Sequence, residues 1–295
     1  RMSSSKSVSV VVLALVAVFF LSAPCHAYLP VVMMHGIDGS AQDFAPMVKN
    51  IQKTHPGTLT LSLPLFQGVE SFLPMEYQTE HVMRYLKNLV HNNSSFANGW
   101  HLVCHSQGAL LCRSVIENWD NHNINTFISL AGPHLGQFGT DFPVLYNITT
   151  EEAYLILYTP IAQDTFSVAG YWHDPRHEQD YLKSCRFLPN LNNVLNDSIT
   201  PSFKTNFLLL QQLVLLGSNG DGVISPWFSS MFSFWDEHLN LVPMQDQPVF
   251  TNDTFGLKTL YNSKRLSYSY PPGVYHTDWL SNFTLYQTYI EPWLI

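Results

Sequence analysis

Trp100-His101-Leu102-Val103-Cys104-His105-Ser106-Gln107-Gly108, continued by Ala109-Leu110-Leu111-Cys112-Arg113-Ser114-Val115-Ile116, decides how this chain reads. The apolar run Trp100 to Val103 predicts a strand, and Ala109 to Trp119 predicts a helix. Between them a tight turn carries Ser106 at its tip. Strand, serine turn and helix form a nucleophile elbow, which lifts the hydroxyl out of a sheet and aims a helix N-terminus at any negative charge developing there. The pattern usually has glycine two residues before the serine, and here that residue is Cys104.

The flanking sequence predicts strands alternating with helices. Leu29–Met34, Thr58–Leu63, Thr126–Leu130 and Phe207–Leu216 read as buried strands. A last strand is expected at Val249–Thr259 or Arg265–Tyr270. Gln42–Lys53, Glu76–Val90 and Leu285–Leu294 have helical spacing of apolar residues. Alternation at this spacing implies βαβ units and a mostly parallel sheet. From about Gln137 to Lys204 the alternation gives way to prolines, aromatics and asparagines. That stretch reads as an insertion over the carboxyl edge of the sheet, where loops carry function.

Residues 1–27 read as a secretory signal peptide, with Lys6, the apolar run Val8–Leu21 and a small-residue site ending at Ala27. The run is shorter than the ~20 residues a membrane-spanning helix needs, so no transmembrane anchor is expected. The remainder, 28–295, suits one large α/β domain. Six Asn-x-Ser/Thr sequons, at Asn92, Asn93, Asn147, Asn196, Asn252 and Asn282, then read as glycan acceptors, with at most one of the adjacent pair used. Without residues 1–27 the chain carries 12 basic and 22 acidic residues, a formal charge of −10. Nucleic acid, which requires a basic face, is not an expected partner. The twelve remaining histidines can offset much of that charge in an acidic compartment.

Three cysteines remain after Cys25 is removed: Cys104, Cys112 and Cys185. Cys104 lies about 6–7 Å before Ser106 along a strand, and Cys112 about 9 Å after it along a helix that returns over the sheet. A disulfide between them is favoured, with two buried free thiols as the other reading.

A serine needs a base to take its proton and a third group to orient that base. Asp221 follows a strongly apolar strand in a glycine-flanked turn, and His276 sits in a loop after the last strand, giving the order serine, acid, histidine. His105 is adjacent to the serine and His134 precedes the acid, so neither fits the base. His173 and His177 have near-metal spacing, but Pro175 interrupts the helix a ligand pair requires. No metal and no cofactor are expected. The oxyanion donors are expected to be the N–H groups of Gln107 and Ile37.

His35-Gly36-Ile37, Thr54-His55-Pro56-Gly57-Thr58, Cys104-His105-Ser106-Gln107-Gly108, Phe127-Ile128-Ser129-Leu130, Tyr171-Trp172-His173-Asp174-Pro175, Asp221-Gly222-Val223-Ile224-Ser225-Pro226-Trp227 and Phe255-Gly256-Leu257-Lys258-Thr259-Leu260 together resemble the palmitoyl-protein thioesterase family, and more closely its second, lysosomal member. The resemblance runs over nearly all of 28–295. It implies an α/β-hydrolase with helices on both faces of a mostly parallel sheet and a lid-like insertion. It also implies a Ser106–Asp221–His276 triad, a Cys104–Cys112 pair, a lysosomal destination through the secretory pathway, and hydrolysis of long-chain S-acyl thioesters such as palmitoyl-CoA. An oxygen-ester lipase on the same triad and an inactive secreted binding module are the alternatives. A second cysteine pair of that member is replaced here near Leu157 and Ala169, and Cys185 has no evident partner. Phe142, Tyr146, Tyr154, Tyr158 and Phe166 are candidates for an acyl groove under the insertion.

Overall fold

The structure, a computed structural model, describes residues 28–140, 148–195 and 200–295. The signal segment, Phe142, Tyr146, Asn147 and Asn196 lie outside the described residues. Six strands form the main sheet: β1 (Val31–Met34), β2 (Thr60–Ser62), β3 (Trp100–His105), β4 (Ile124–Leu130), β5 (Gln212–Leu216) and, last in the chain, Leu266–Ser269. Phe234–Trp235 (β6) and Leu241–Val242 (β7) make a separate antiparallel ribbon, so the last strand is β8. The order across the sheet is β2-β1-β3-β4-β5-β8, and every neighbouring pair is parallel. Valine- and leucine-rich strands such as Val31-Val32-Met33-Met34 and Gln212-Leu213-Val214-Leu215-Leu216 suit this arrangement because a parallel sheet is covered on both faces.

Alternate side chains feed two cores. Val32, Met34, Leu102, Cys104, Phe127, Leu213 and Leu215 face one cluster, which includes α2 (Met75–Asn92) and α3 (Gln107–Asn118). Val31, Met33, Val103, Ile128, Leu130, Val214 and Leu216 face the other. That second face is covered by Met47 and Ile51 of α1 (Ala45–Thr54) and by Trp279, Tyr286 and Ile290 near the C-terminus. The register pairs Met34 with Cys104, His105 with Leu130 and Leu216 with Ser269, so the loops after these strands emerge along one edge.

Between β4 and β5 the described chain forms short helices: α4 (Thr150–Leu157), α5 (Pro160–Thr165), α6 (Glu178–Ser184), α7 (Phe187–Leu191) and α8 (Pro201–Phe207). Ala153, Leu157, Val168, Trp172 and Leu188 pack them onto the first core. Strand β5 starts five residues later than its apolar run suggests. Phe207 instead ends α8, whose N-terminal Pro201 is preset for a helix start. The last strand is the second of the two expected segments. Val249–Thr259 holds α9 (Pro248–Thr251) and the start of α10 (Leu257–Asn262), each set by its first turn, with Pro248 at one and Gly256 at φ 101° at the other. Expected as one helix, Leu285–Leu294 is broken, with a wide turn at Tyr286–Ile290 and a 3₁₀ turn at Glu291–Trp293. Pro292 has no N–H for the helical ladder, which explains the break.

Four histidines are buried with neutral rings. Ile124 N–H donates to His122 Nδ1 (3.2 Å), so the ring proton is on Nε2, which donates to Asn206 O (2.9 Å). Burial lowers His122 and His101 to about 4 and His105 to about 3, from an ordinary 6.5, and pushes His134 well down. Each folded-state pKa lies below its unfolded value, so the stabilisation is full above pH 6.5 and is lost as pH falls toward about 4. Burial raises Glu117, which acts in the opposite direction. The histidines outnumber it, so the urea midpoint is expected to be lower at pH 4.5 than at pH 6.5. His122→Gln, which keeps an N–H donor at the ε position for Asn206 O, is expected to reduce that slope by up to ~1.4 kcal/mol per pH unit. An unchanged slope would remove His122 from this account.

Candidate active site

Ser106 lies between β3 and α3 at φ 56°, ψ −130°, a backbone conformation that costs energy for a residue with a Cβ. Its neighbours hold it there. Ser106 N–H donates to Leu130 O (2.8 Å), and Ser106 O accepts from Ala109 N–H (2.9 Å). Gly108 is required because a Cβ there would meet His35 O at 2.2 Å. Gly36 is likewise required, since its Cβ would lie 2.7 Å from that of Ser106. Cys104, where the motif usually has glycine, is bonded to Cys112 with a Cα–Cα separation of 6.5 Å. The bridge joins strand to helix across the turn.

The loop after β8 brings His276 to the same place. His276 Nδ1 is 2.9 Å from both Asp221 Oδ1 and Oδ2, and its backbone N–H donates to Asp221 O (3.0 Å). Asp221 Oδ1 also accepts from Val223 N–H (3.1 Å) and Ile224 N–H (2.7 Å), which fixes the carboxylate. Ser106 and His276 line one cavity of about 530 Å³ with Gly36, Ile37, Asp38 and His105. His105 turns away from the serine hydroxyl: its Nε2 donates to His276 O (2.9 Å) and its ring lies 4.5 Å from that of His276. Burial holds its pKa down at about 3.

Ile37 lines the cavity and Gln107 is the first residue of α3. Tyr154, Tyr158 and Phe166 do not line it. Tyr154 stacks on His177 (3.8 Å), the Tyr158 hydroxyl accepts from Asp174 N–H (2.9 Å), and Phe166 packs against the first core. These three aromatics pack within the insertion, and the other two groove candidates, Phe142 and Tyr146, lie outside the described residues. His173 stacks between Tyr181 (3.9 Å) and Phe234 (4.5 Å), with its Nδ1 donating to Leu135 O. Leu157 and Ala169 are both buried in the core, and the Cys185 thiol contacts Gly170 O. Of the described sequons, Asn92, Asn252 and Asn282 are exposed, whereas Asn93 is half-buried and its side chain accepts from Ser95 N–H.

Several buried polar residues around the site escaped the sequence reading. Gln137 links the loop after Asp221 through Val223 O (3.2 Å) and Ser225 N–H (2.8 Å). Arg113 and Glu117 form a fully buried ion pair on α3 (2.7 Å). Neither carries a periodicity or motif that distinguishes it from a solvated helix face or a loop polar residue.

A parallel sheet covered on both sides, with its chemistry gathered on the loops at one edge, is the architecture of an α/β-hydrolase, and the serine elbow makes it one of the serine-hydrolase class. A lipase of Bacillus licheniformis, BlEst2, has the same fold, with a TM-score of 0.55 and 16% identity, over 93% of this chain and 95% of the lipase. The chain belongs to the palmitoyl protein thioesterase family, a model of which matches residues 30–276. It is 40% identical to the human lysosomal thioesterase PPT2 over 271 residues, covering 91% of this chain and 88% of that protein. The lysosomal thioesterase PPT2 homolog of Drosophila melanogaster is 36% identical, over 91% of this chain and 92% of its own. Palmitoyl-protein thioesterase 3 of Dictyostelium discoideum is 32% identical, over 94% and 96%. No helix among the described residues is long and apolar enough to cross a membrane.

Proposed function

We propose that this protein is a lysosomal serine thioesterase that hydrolyses long-chain fatty acyl thioesters through an acyl-enzyme on Ser106. The observation that carries the reading is His276 held by Asp221 at 2.9 Å in the cavity that Ser106 lines. Family membership and the names of the relatives support the thioester substrate and the lysosomal setting.

Ser106 Oγ attacks the thioester carbonyl as His276 Nε2 takes its proton. Asp221 holds Nδ1–H and stabilises the imidazolium that forms. The N–H groups of Ile37 and Gln107 receive the oxyanion. The C–S bond then breaks, His276 returns the proton to the thiolate, and the acyl group remains on Ser106. Water, deprotonated by the same histidine, attacks the acyl-serine; the acyl–Oγ bond breaks, His276 returns that proton to Ser106 Oγ, and the fatty acid is released. Every proton taken is returned, so no cofactor is required.

A matched series of C8 to C18 acyl thioesters and oxygen esters tests the substrate class. Thioesters are expected to have the higher kcat/KM, with a maximum at long chains. A preference for oxygen esters across the series would make the protein a lipase instead. A fluorophosphonate probe is expected to label Ser106 stoichiometrically, and absence of labelling would point to an inactive binding module.

A further inference from the structure

The side chain of Gln107 is buried and held at both ends. Its Nε2 donates to Ser71 O (2.7 Å), and its Oε1 accepts from Tyr171 O–H (2.9 Å). Ser71 O is only an acceptor, which fixes the amide orientation. Burial raises the Tyr171 phenol, so the hydroxyl stays protonated and donating. Ser71 reaches further, because its Oγ accepts from Asp38 N–H (2.7 Å) and donates to Gly68 O (2.6 Å). Ser71 therefore joins the Ile37–Asp38 loop, through its hydroxyl, to the residue after Ser106, through its carbonyl.

Tyr171 also links to the acid. Its carbonyl accepts from Gln137 N–H (3.0 Å), and the Gln137 side chain spans Val223 O and Ser225 N–H in the loop behind Asp221. Both ends of Gln107 and both ends of Gln137 are thus occupied. Neither amide can turn without leaving buried polar atoms unpaired.

We infer that Tyr171 is a positioning residue for the reaction, acting through the Gln107 side chain to set the Gln107 backbone N–H against the developing oxyanion. This rests on the thioesterase reading above. An oxyanion donor must lie within a few tenths of an ångström of its place to stabilise the transition state, whereas substrate binding is less sensitive to that shift. Ser71 couples the Gln107 amide to the loop that bears the other donor.

Tyr171→Phe keeps the ring and removes only the donor, and Gln107→Met keeps the bulk and removes both hydrogen bonds. In Tyr171→Phe, kcat for a palmitoyl thioester is expected to fall about tenfold with KM within twofold, the split of an interaction made only in the transition state. The second-order rate of fluorophosphonate labelling is expected to fall by a similar factor, because the phosphonyl oxygen occupies the same donors. Acting through Gln107, Tyr171→Phe is expected to add less than twofold in a Gln107→Met background. Thermal midpoints of all variants keep a folding defect separate from these rates. An unchanged kcat and labelling rate in Tyr171→Phe, or losses that multiply fully in the double variant, would overturn the assignment. Labelling reports on the donors whichever ester is turned over, so failure of wild-type thioester turnover alone would count against the function and not against this coupling.

Discussion

Ser106→Ala is expected to lower kcat for hydrolysis of a palmitoyl thioester by a factor on the order of 10⁶. The hydroxyl is the only atom the substitution removes, and no other nucleophile occupies its place on the turn. The histidine and acid cannot compensate, since they act by moving the proton of that hydroxyl. Ala at φ 56° is no more strained than Ser, and the anchoring bonds of Ser106 N–H to Leu130 O and of Ser106 O to Ala109 N–H come from the backbone. The variant should therefore fold and bind substrate as before. A single-turnover assay with a chromogenic thioester, beside a thermal melt, reads both quantities. Retained turnover in a folded variant would exclude the acyl-enzyme on Ser106.

Arg113→Met is expected to destabilise the protein by about 3–5 kcal/mol, the cost of leaving a buried charge without its partner. Arg113 Nε donates to Glu117 Oε1 (2.7 Å), Nη1 to His134 O (3.2 Å) and Asn192 Oδ1 (3.0 Å), and Nη2 to Leu191 O (3.2 Å). The guanidinium also lies 4.0 Å from the Phe255 ring. Met fills much of the volume, so the loss is electrostatic and hydrogen-bonding in origin. Glu117 is left buried, and its pKa, already raised by burial, rises further. The variant's stability should consequently fall most at high pH, where that carboxyl must ionise or stay protonated at a cost. Adding Glu117→Leu is expected to restore part of the stability. Urea unfolding at constant m measures all three proteins. A loss below 1 kcal/mol would mean that the ion pair is replaceable by packing alone.

The sheet was readable because its strands are covered on both faces and appear as short apolar runs, as at Val31–Met34 and Trp100–Val103. Ambiguity entered where a buried helix produces the same run. Phe203 and Phe207 of α8 sit directly before β5, and Val249 and Phe250 of α9 mimic a strand. Ser106 was legible through the punctuation around it, and Asp221 and His276 through their places after strands. The bonds that hold Gln107 were not, because Ser71 and Tyr171 lie 36 and 64 residues away. A lone buried Gln or Tyr carries no local pattern. The aromatics of the insertion are ambiguous in sequence for the reverse reason, since their composition suits either a groove or the packing of short helices.

The bridge between Cys104 and Cys112 also constrains how such an elbow can change by single substitutions. Cys112 alone, on a helix buried on every side, would behave as a small apolar residue and is nearly neutral. Cys104 alone would likewise leave an unpaired thiol in the same buried core. The two positions are therefore epistatic, and a comparison that scores them one at a time would misjudge both.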